Sequence, residues 1–160
     1  MGKIVVGIAD MKVSNNPEDI LITHALGSCI GVAVYDPVVK VGGLLHFMLP
    51  ESKINPQRAK QNPFMFCDTG VPLLFKTCYK YGAIKKRMIV KVAGGSQIMD
   101  EAGHFNIGKR NYATLRKLLW KNGVLIHAED VGGVVNRTME LNIANGEVTL
   151  KIPSQGMKKL

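Results

Sequence analysis

The strongest pattern in the chain is a pair of Val-, Ile- and Leu-rich runs, residues 30–35 and 41–49, separated by Asp36-Pro37-Val38-Val39-Lys40. Apolar runs bounded by such a segment predict a β-hairpin. Asp and Pro suit the first two positions of its turn. Setting Asp36 opposite Val39 gives a register in which Cys29 falls directly opposite His46, and directly opposed residues on one sheet face have Cβ atoms roughly 4.5–5.5 Å apart. The register matters because a slip of one residue turns His46 to the other face. A two-residue type I loop also matches strand twist poorly, so a longer loop or a bulge is the competing arrangement.

The same patterning divides the rest of the chain. Residues 3–10 predict a first strand, 14–18 a loop and 20–23 a second strand. Residues 50–63 contain Asn-Pro twice and predict a loop, which leaves directly from the strand of His46 and can wall a cleft there. A helix is predicted from Asp68, as its cap, to Gly82. Val71, Leu74, Phe75, Cys78 and Tyr79 recur in it at helical spacing, and Pro72 is placed in its first turn. Residues 88–92 form a buried-type strand that runs into the glycine turn Ala93-Gly94-Gly95-Ser96. Asn106 is expected to cap a second helix ending at Asn122-Gly123. Its Lys109, Arg110, Arg116 and Lys117 read as a solvated face. Strands are then predicted at 124–128, 138–143 and 147–152, the last two joined through Ala144-Asn145-Gly146. Strands outnumber helices. The pattern predicts an α+β fold with a mainly antiparallel or mixed sheet and two principal helices, a single domain over residues 1–153, and a frayed basic tail over 154–160.

At 160 residues, 46% hydrophobic and 21% charged, the chain has the composition of one globular domain. The amino terminus turns polar at Asp10 and Lys12 before a long apolar run develops, so neither a signal peptide nor a membrane span is expected and the cytoplasm is the expected compartment. Cys29, Cys67 and Cys78 are an odd number with no Cys-x-x-Cys pair and no His at metal spacing. That argues against a disulfide framework and a zinc site, and Cys67 and Cys78 are expected in the core. The glycine turn at residues 93–96 has no Gly-Lys-Ser downstream and is no P-loop; close backbone packing is its expected role. The net charge of +9 implies a negative partner. Nucleic acid is disfavoured because the basic residues are dispersed and lack interleaved aromatics. An acidic protein surface or the anionic inner membrane face fits as well.

Cys29 is the candidate nucleophile and His46 its base, since an adjacent imidazole takes the thiol proton. Gly27 permits close approach of the backbone, the amides around Ser28 and Cys29 are candidate oxyanion donors, and Thr23 is placed to orient the imidazole. The competing reading is a buried cysteine and an ordinary hydrogen-bonded histidine. A Cys-His pair by itself does not separate amide hydrolysis from acyl transfer or peptide cleavage, and a non-catalytic basic interaction module is the alternative from a different class.

Thr23-x5-Cys29 within Leu-Gly-Ser-Cys, the Tyr35-Asp36-Pro37 turn, His46 before Met48-Leu49-Pro50-Glu51-Ser52, Ala93-Gly94-Gly95-Ser96, Asn106-Ile107-Gly108-x-Arg110-Asn111 and Asp130-x-Gly132-Gly133-x3-Arg137 occur in this order. Together they resemble the CheD family of chemoreceptor glutamine deamidases, from about residue 6 to about residue 152. The resemblance implies that Cys29, His46 and Thr23 are the catalytic residues, and an α/β/β layering akin to the catalytic domain of cytotoxic necrotizing factor toxins. It implies hydrolysis of receptor glutamine side chains through a Cys thioester, and of methylated glutamates through the same intermediate. No metal or organic cofactor is required. The implied partners are chemoreceptor cytoplasmic domains and a CheC-type phosphatase, near the inner membrane face. The sequence departs from the family at His24-Ala25, which sets a second imidazole beside the site as the rival base to His46.

Overall fold

The computed structural model describes residues 2–97 and 106–160. Its ten strands form two five-stranded sheets. The first contains β1 (Gly2–Val5), β3 (Asp19–Leu26), β8 (Arg137–Asn142), β9 (Val148–Ile152) and β10 (Gly156–Lys159), side by side in that order. The second has the order β2 (Asp10–Ser14), β5 (Val41–Phe47), β4 (Ile30–Asp36), β6 (Ile89–Gly94) and β7 (Ala128–Val131). Each is antiparallel except for one parallel pair at an edge, β1 with β3 and β6 with β7. Two long helices, α2 (Cys67–Lys80) and α3 (Ile107–Lys121), accompany a short α1 (Pro56–Gln61).

Strand alternation makes this a three-layer molecule, because successive side chains leave a strand on opposite faces. Ile30, Val32 and Val34 of β4 and Leu45 and Phe47 of β5 form one core with Leu74 and Cys78 of α2 and with Leu115 and Leu119 of α3. Ala33 and Leu44, on the other face, form a second core with Leu21, Leu26, Met139 and Leu141 of the first sheet. The expected α+β fold and the α/β/β layering are both present. Cys67 and Cys78 are fully buried.

Several local expectations give way to tertiary context. The single strand expected over residues 3–10 is two strands in different sheets. The chain crosses between them at a turn where the Asp10 carboxylate accepts from the Gly7 and Met11 amides and Ala9 has φ 56°. The expected loop over residues 50–63 contains α1, because Asn55-Pro56 is a helix start: the Asn55 side chain accepts from Arg58 N at 3.1 Å and Pro56 fills the first turn. Asp68 does not cap α2, which begins one residue earlier; its carboxylate accepts from the Ser52 amide and hydroxyl at 2.9 and 3.0 Å. Pro72 accordingly lies past the first turn. Asn106 precedes α3 in a left-handed conformation, φ 58°, and makes no side-chain cap. The strand expected at 124–128 forms instead at Ala128–Val131, where the edge of β6 offers a partner. The tail expected to fray pairs with β9 as β10, and the Leu160 carbonyl accepts from Lys91 Nζ at 2.9 Å.

Candidate active site

The hairpin forms, with a longer loop. Asp36 pairs with Val41, and residues 37–40 make the turn: Asp36 Oδ1 accepts from Val38 N at 2.9 Å, and Lys40 reverses the chain at φ 53°. His46 therefore faces Gly31, not Cys29. A shift of two residues leaves the alternation intact, so His46 still projects between the two sheets. Cys29, just before β4, packs against the same inter-sheet core.

His46 is fully buried, as is Thr23 on the facing sheet, and Thr23 Oγ1 lies 2.7 Å from His46 Nδ1. The same hydroxyl donates to the Val6 carbonyl at 2.8 Å. A hydroxyl has one proton, and a carbonyl only accepts. With its proton committed to Val6, Thr23 must accept from Nδ1–H, which selects the tautomer with a bare Nε2. That Nε2 is buried and, among the described residues, has no hydrogen-bond partner. Burial pushes the imidazole down to about 4 and the Cys29 thiol up to about 11, the latter opposed by a hydrogen bond from its own backbone amide. The resting site thus holds a neutral imidazole and a thiol. Desolvation favours the neutral form of both groups and so opposes the expected rise in thiolate fraction. His24, on β3 next to Thr23, is exposed, whereas Thr23 points inward.

The loop carrying Cys29 is held on three sides. Gly95 N donates to the Cys29 carbonyl and Ser96 N to the Gly27 carbonyl, both at 2.9 Å. The approach is so close that a Cβ on Gly94 would sit 2.2 Å from the Cys29 oxygen, which is the backbone packing expected of this glycine turn. Asn111 of α3, fully buried, donates through Nδ2 to the Ser28 carbonyl at 3.0 Å and to the Met48 carbonyl at 2.9 Å. It ties the Cys29 loop to the end of the His46 strand. The third support is Arg137, 4% exposed, which pairs with Asp130 at 2.8 Å and donates to Ser96 Oγ at 3.0 Å and to the Gly94 and Gly132 carbonyls. Sequence reasoning quoted Asn111, Ser96, Asp130 and Arg137 within motifs but gave them no role. Their polar character at the ends of apolar elements was the available signal.

Gly27, expected to let the backbone approach the substrate, donates its amide to the Ala25 carbonyl at 3.0 Å in a tight turn where Ala25 has φ 59°. Among the described residues, the Ser28 and Cys29 amides have no backbone acceptor. Ser28 and Cys29 line a cleft of about 500 Å³ closed by Met48, Phe66 and Ile107. Its rim carries Arg58 of α1 and Arg110 of α3, so the segment after His46 does wall the cleft.

The sequence model of the family described as CheD chemotactic sensory transduction matches residues 48–152. The chain is 56% identical over all 160 residues, covering both chains fully, to the probable chemoreceptor glutamine deamidase CheD 1 of Syntrophus aciditrophicus (strain SB). The chain belongs to the CheD family. A further member, the probable chemoreceptor glutamine deamidase CheD of Solibacter usitatus (strain Ellin6076), is 50% identical over 151 residues, 94% of this chain and 89% of its own. The corresponding CheD 2 of Anaeromyxobacter dehalogenans (strain 2CP-C) is 44% identical over 155 residues, 97% and 98% of the two chains. Among the described residues no helix is long and apolar enough to cross a membrane.

Proposed function

We propose that this CheD-family chain is a protein-glutamine deamidase acting on chemoreceptors, with Cys29 as nucleophile, His46 as base and acid, and Thr23 as the residue that orients His46. The observation that supports the assignment of roles is the buried Thr23–His46 pair, whose hydrogen bonding leaves Nε2 without a partner among the described residues, between the same two sheets whose core Cys29 packs against. A cleft of this size suits an inserted side chain. Because thiol and imidazole both rest neutral, the thiol proton passes to Nε2 as Sγ attacks the carboxamide carbon. The Ser28 and Cys29 amides stabilise the oxyanion. The imidazolium then protonates the departing nitrogen, ammonia leaves, and a glutamyl thioester remains. Nε2 next takes a proton from water, hydroxide adds to the thioester, and collapse yields glutamate and restores the thiol. A glutamate methyl ester enters through the same thioester with methanol as leaving group. The family likeness further supports work in the cytoplasm near the inner membrane face, and association with a CheC-type phosphatase.

The test is to incubate a chemoreceptor cytoplasmic fragment with the protein and weigh its peptides. Deamidation adds about one mass unit at a glutamine, leaves the chain intact and releases ammonia, and Cys29→Ala removes the activity. Fragmentation would mean peptide cleavage, and a larger mass increment acyl transfer. Thiol-independent nucleic-acid binding without chemistry would mean an interaction module. Any of these, or full activity in Cys29→Ala, overturns the assignment.

A further inference from the structure

The outer face of α3 has no part in the proposed chemistry. Arg110, Ala113, Lys117, Trp120 and Lys121 recur at helical spacing and are all exposed. The helix carries no Asp or Glu, and among the described residues it contributes no ion pair. Trp120 is 81% exposed, and Leu125, just beyond the helix, is 76% exposed. Solvated helix faces ordinarily mix charge signs and keep aromatics inside. A strip of one sign ending in a bare Trp has the composition of an interface anchor. The strip is also continuous with the proposed catalytic cleft, because Arg110 lines it together with Arg58.

We propose that this strip is the docking surface for the protein substrate, and that it takes an elongated acidic face which lies along α3 while one glutamine side chain enters the cleft. The proposal rests on the deamidase reading. A 15-residue helix is about 22 Å long, enough to align a partner over several of its turns. Ala113, small and midway along the strip, lets the partner backbone approach. The cations attract and orient the acidic face, and Trp120 anchors its far end. A bilayer is the less favoured occupant, since a flat surface resting on the strip would cover the cleft mouth that Arg110 borders.

The experiment compares wild type with Lys117→Glu/Lys121→Glu and with a control of equal charge change on the far sheet, Lys3→Glu/Lys151→Glu. Each is assayed for ammonia release from a chemoreceptor cytoplasmic fragment and from a short glutamine peptide. At about 0.05 M salt the strip variant is expected to lose about tenfold or more in kcat/KM on the fragment, through KM, with kcat and peptide turnover unchanged. Salt of about 0.5 M narrows the gap by screening. The control keeps wild-type values. Equal losses in both variants, or none in the strip variant, overturn the proposal. So does a strip variant that loses binding to phosphatidylglycerol vesicles while its fragment kinetics stay wild type. Fragment binding is also measured in the Cys29→Ser background. If wild type releases no ammonia the deamidase reading fails, and a wild-type affinity in the strip variant would independently overturn the docking site.

Discussion

Replacing Thr23 by Val removes one hydroxyl while keeping the branched shape, and two buried groups lose their partner at once: the Val6 carbonyl at 2.8 Å and His46 Nδ1–H at 2.7 Å. Leaving a buried polar group unpaired costs about 1–3 kcal/mol. Thr23→Val should therefore destabilise the fold by about 2–6 kcal/mol, read from the urea midpoint. The catalytic effect has a separate origin. Without an acceptor at Nδ1 the imidazole proton is free to move to Nε2, which removes the base. If the hydrogen bond favours the correct tautomer by about 1–2 kcal/mol, its loss shifts the tautomer ratio about 5- to 30-fold, and kcat for ammonia release, which follows the remaining fraction of the correct form, should fall about two- to fivefold. KM should stay unchanged because Thr23 does not line the cleft. Thr23→Ser retains the hydroxyl and should recover most of kcat, at a stability cost of about 1 kcal/mol for the lost methyl. Nitrogen-15 NMR of the imidazole reports the tautomer directly. Wild-type kcat in Thr23→Val, or an Nε2-protonated ring in the native protein, would refute the role given to Thr23.

Further outcomes follow from the same geometry. His46 binds a proton at about 4 when folded and near 6.5 when unfolded, so between these values the unfolded state holds more protons and stability drops as pH falls, by about 3 kcal/mol across the window. His46→Gln should flatten that dependence above pH 4, leaving the acid loss due to Asp10, Asp36 and Asp130, whose lowered carboxyl values act below their ordinary 3.8. Iodoacetamide should label Cys29 alone in the native protein, slowly at neutral pH and about tenfold faster per pH unit toward 11. Fast labelling that is flat from pH 6 upward would indicate a preformed thiolate–imidazolium pair and overturn the neutral resting state. Arg137→Ala leaves Asp130 with Lys158 as its remaining cation but takes the donor from Ser96 Oγ and from the Gly94 and Gly132 carbonyls, and should destabilise by about 1–3 kcal/mol. It should also lower kcat in whatever protein remains folded, because Gly94 and Ser96 lose their brace. Cys67→Ala and Cys78→Ala should lower stability and retain turnover per folded molecule, measured by active-site alkylation.

Local pattern carried the hairpin, the two long helices, the hairpin after Thr138 and the buried placement of Cys67 and Cys78, because each depends on alternation, helical spacing or turn chemistry within about a dozen residues. It also reached the face on which His46 lies, since a turn two residues longer than expected preserves strand parity. What it missed depended on distant partners. Residues 3–10 are uniformly strand-like, but two sheets compete for them and the chain divides at Asp10. Residues 154–160 have little strand character, yet β9 leaves an open edge that they fill. The site shows the same division: Thr23, Cys29 and His46 were legible as residue types capable of nucleophilic chemistry. That the Thr23 hydroxyl is already committed to Val6, and so selects the His46 tautomer, exists only once β3 faces β5 across the inter-sheet core. Asn111, 82 positions after Cys29, reaches the Cys29 loop only because α3 packs over that end of the second sheet. Burial likewise belongs to the fold alone, and it favours the neutral forms of the Cys29 thiol and the His46 imidazole.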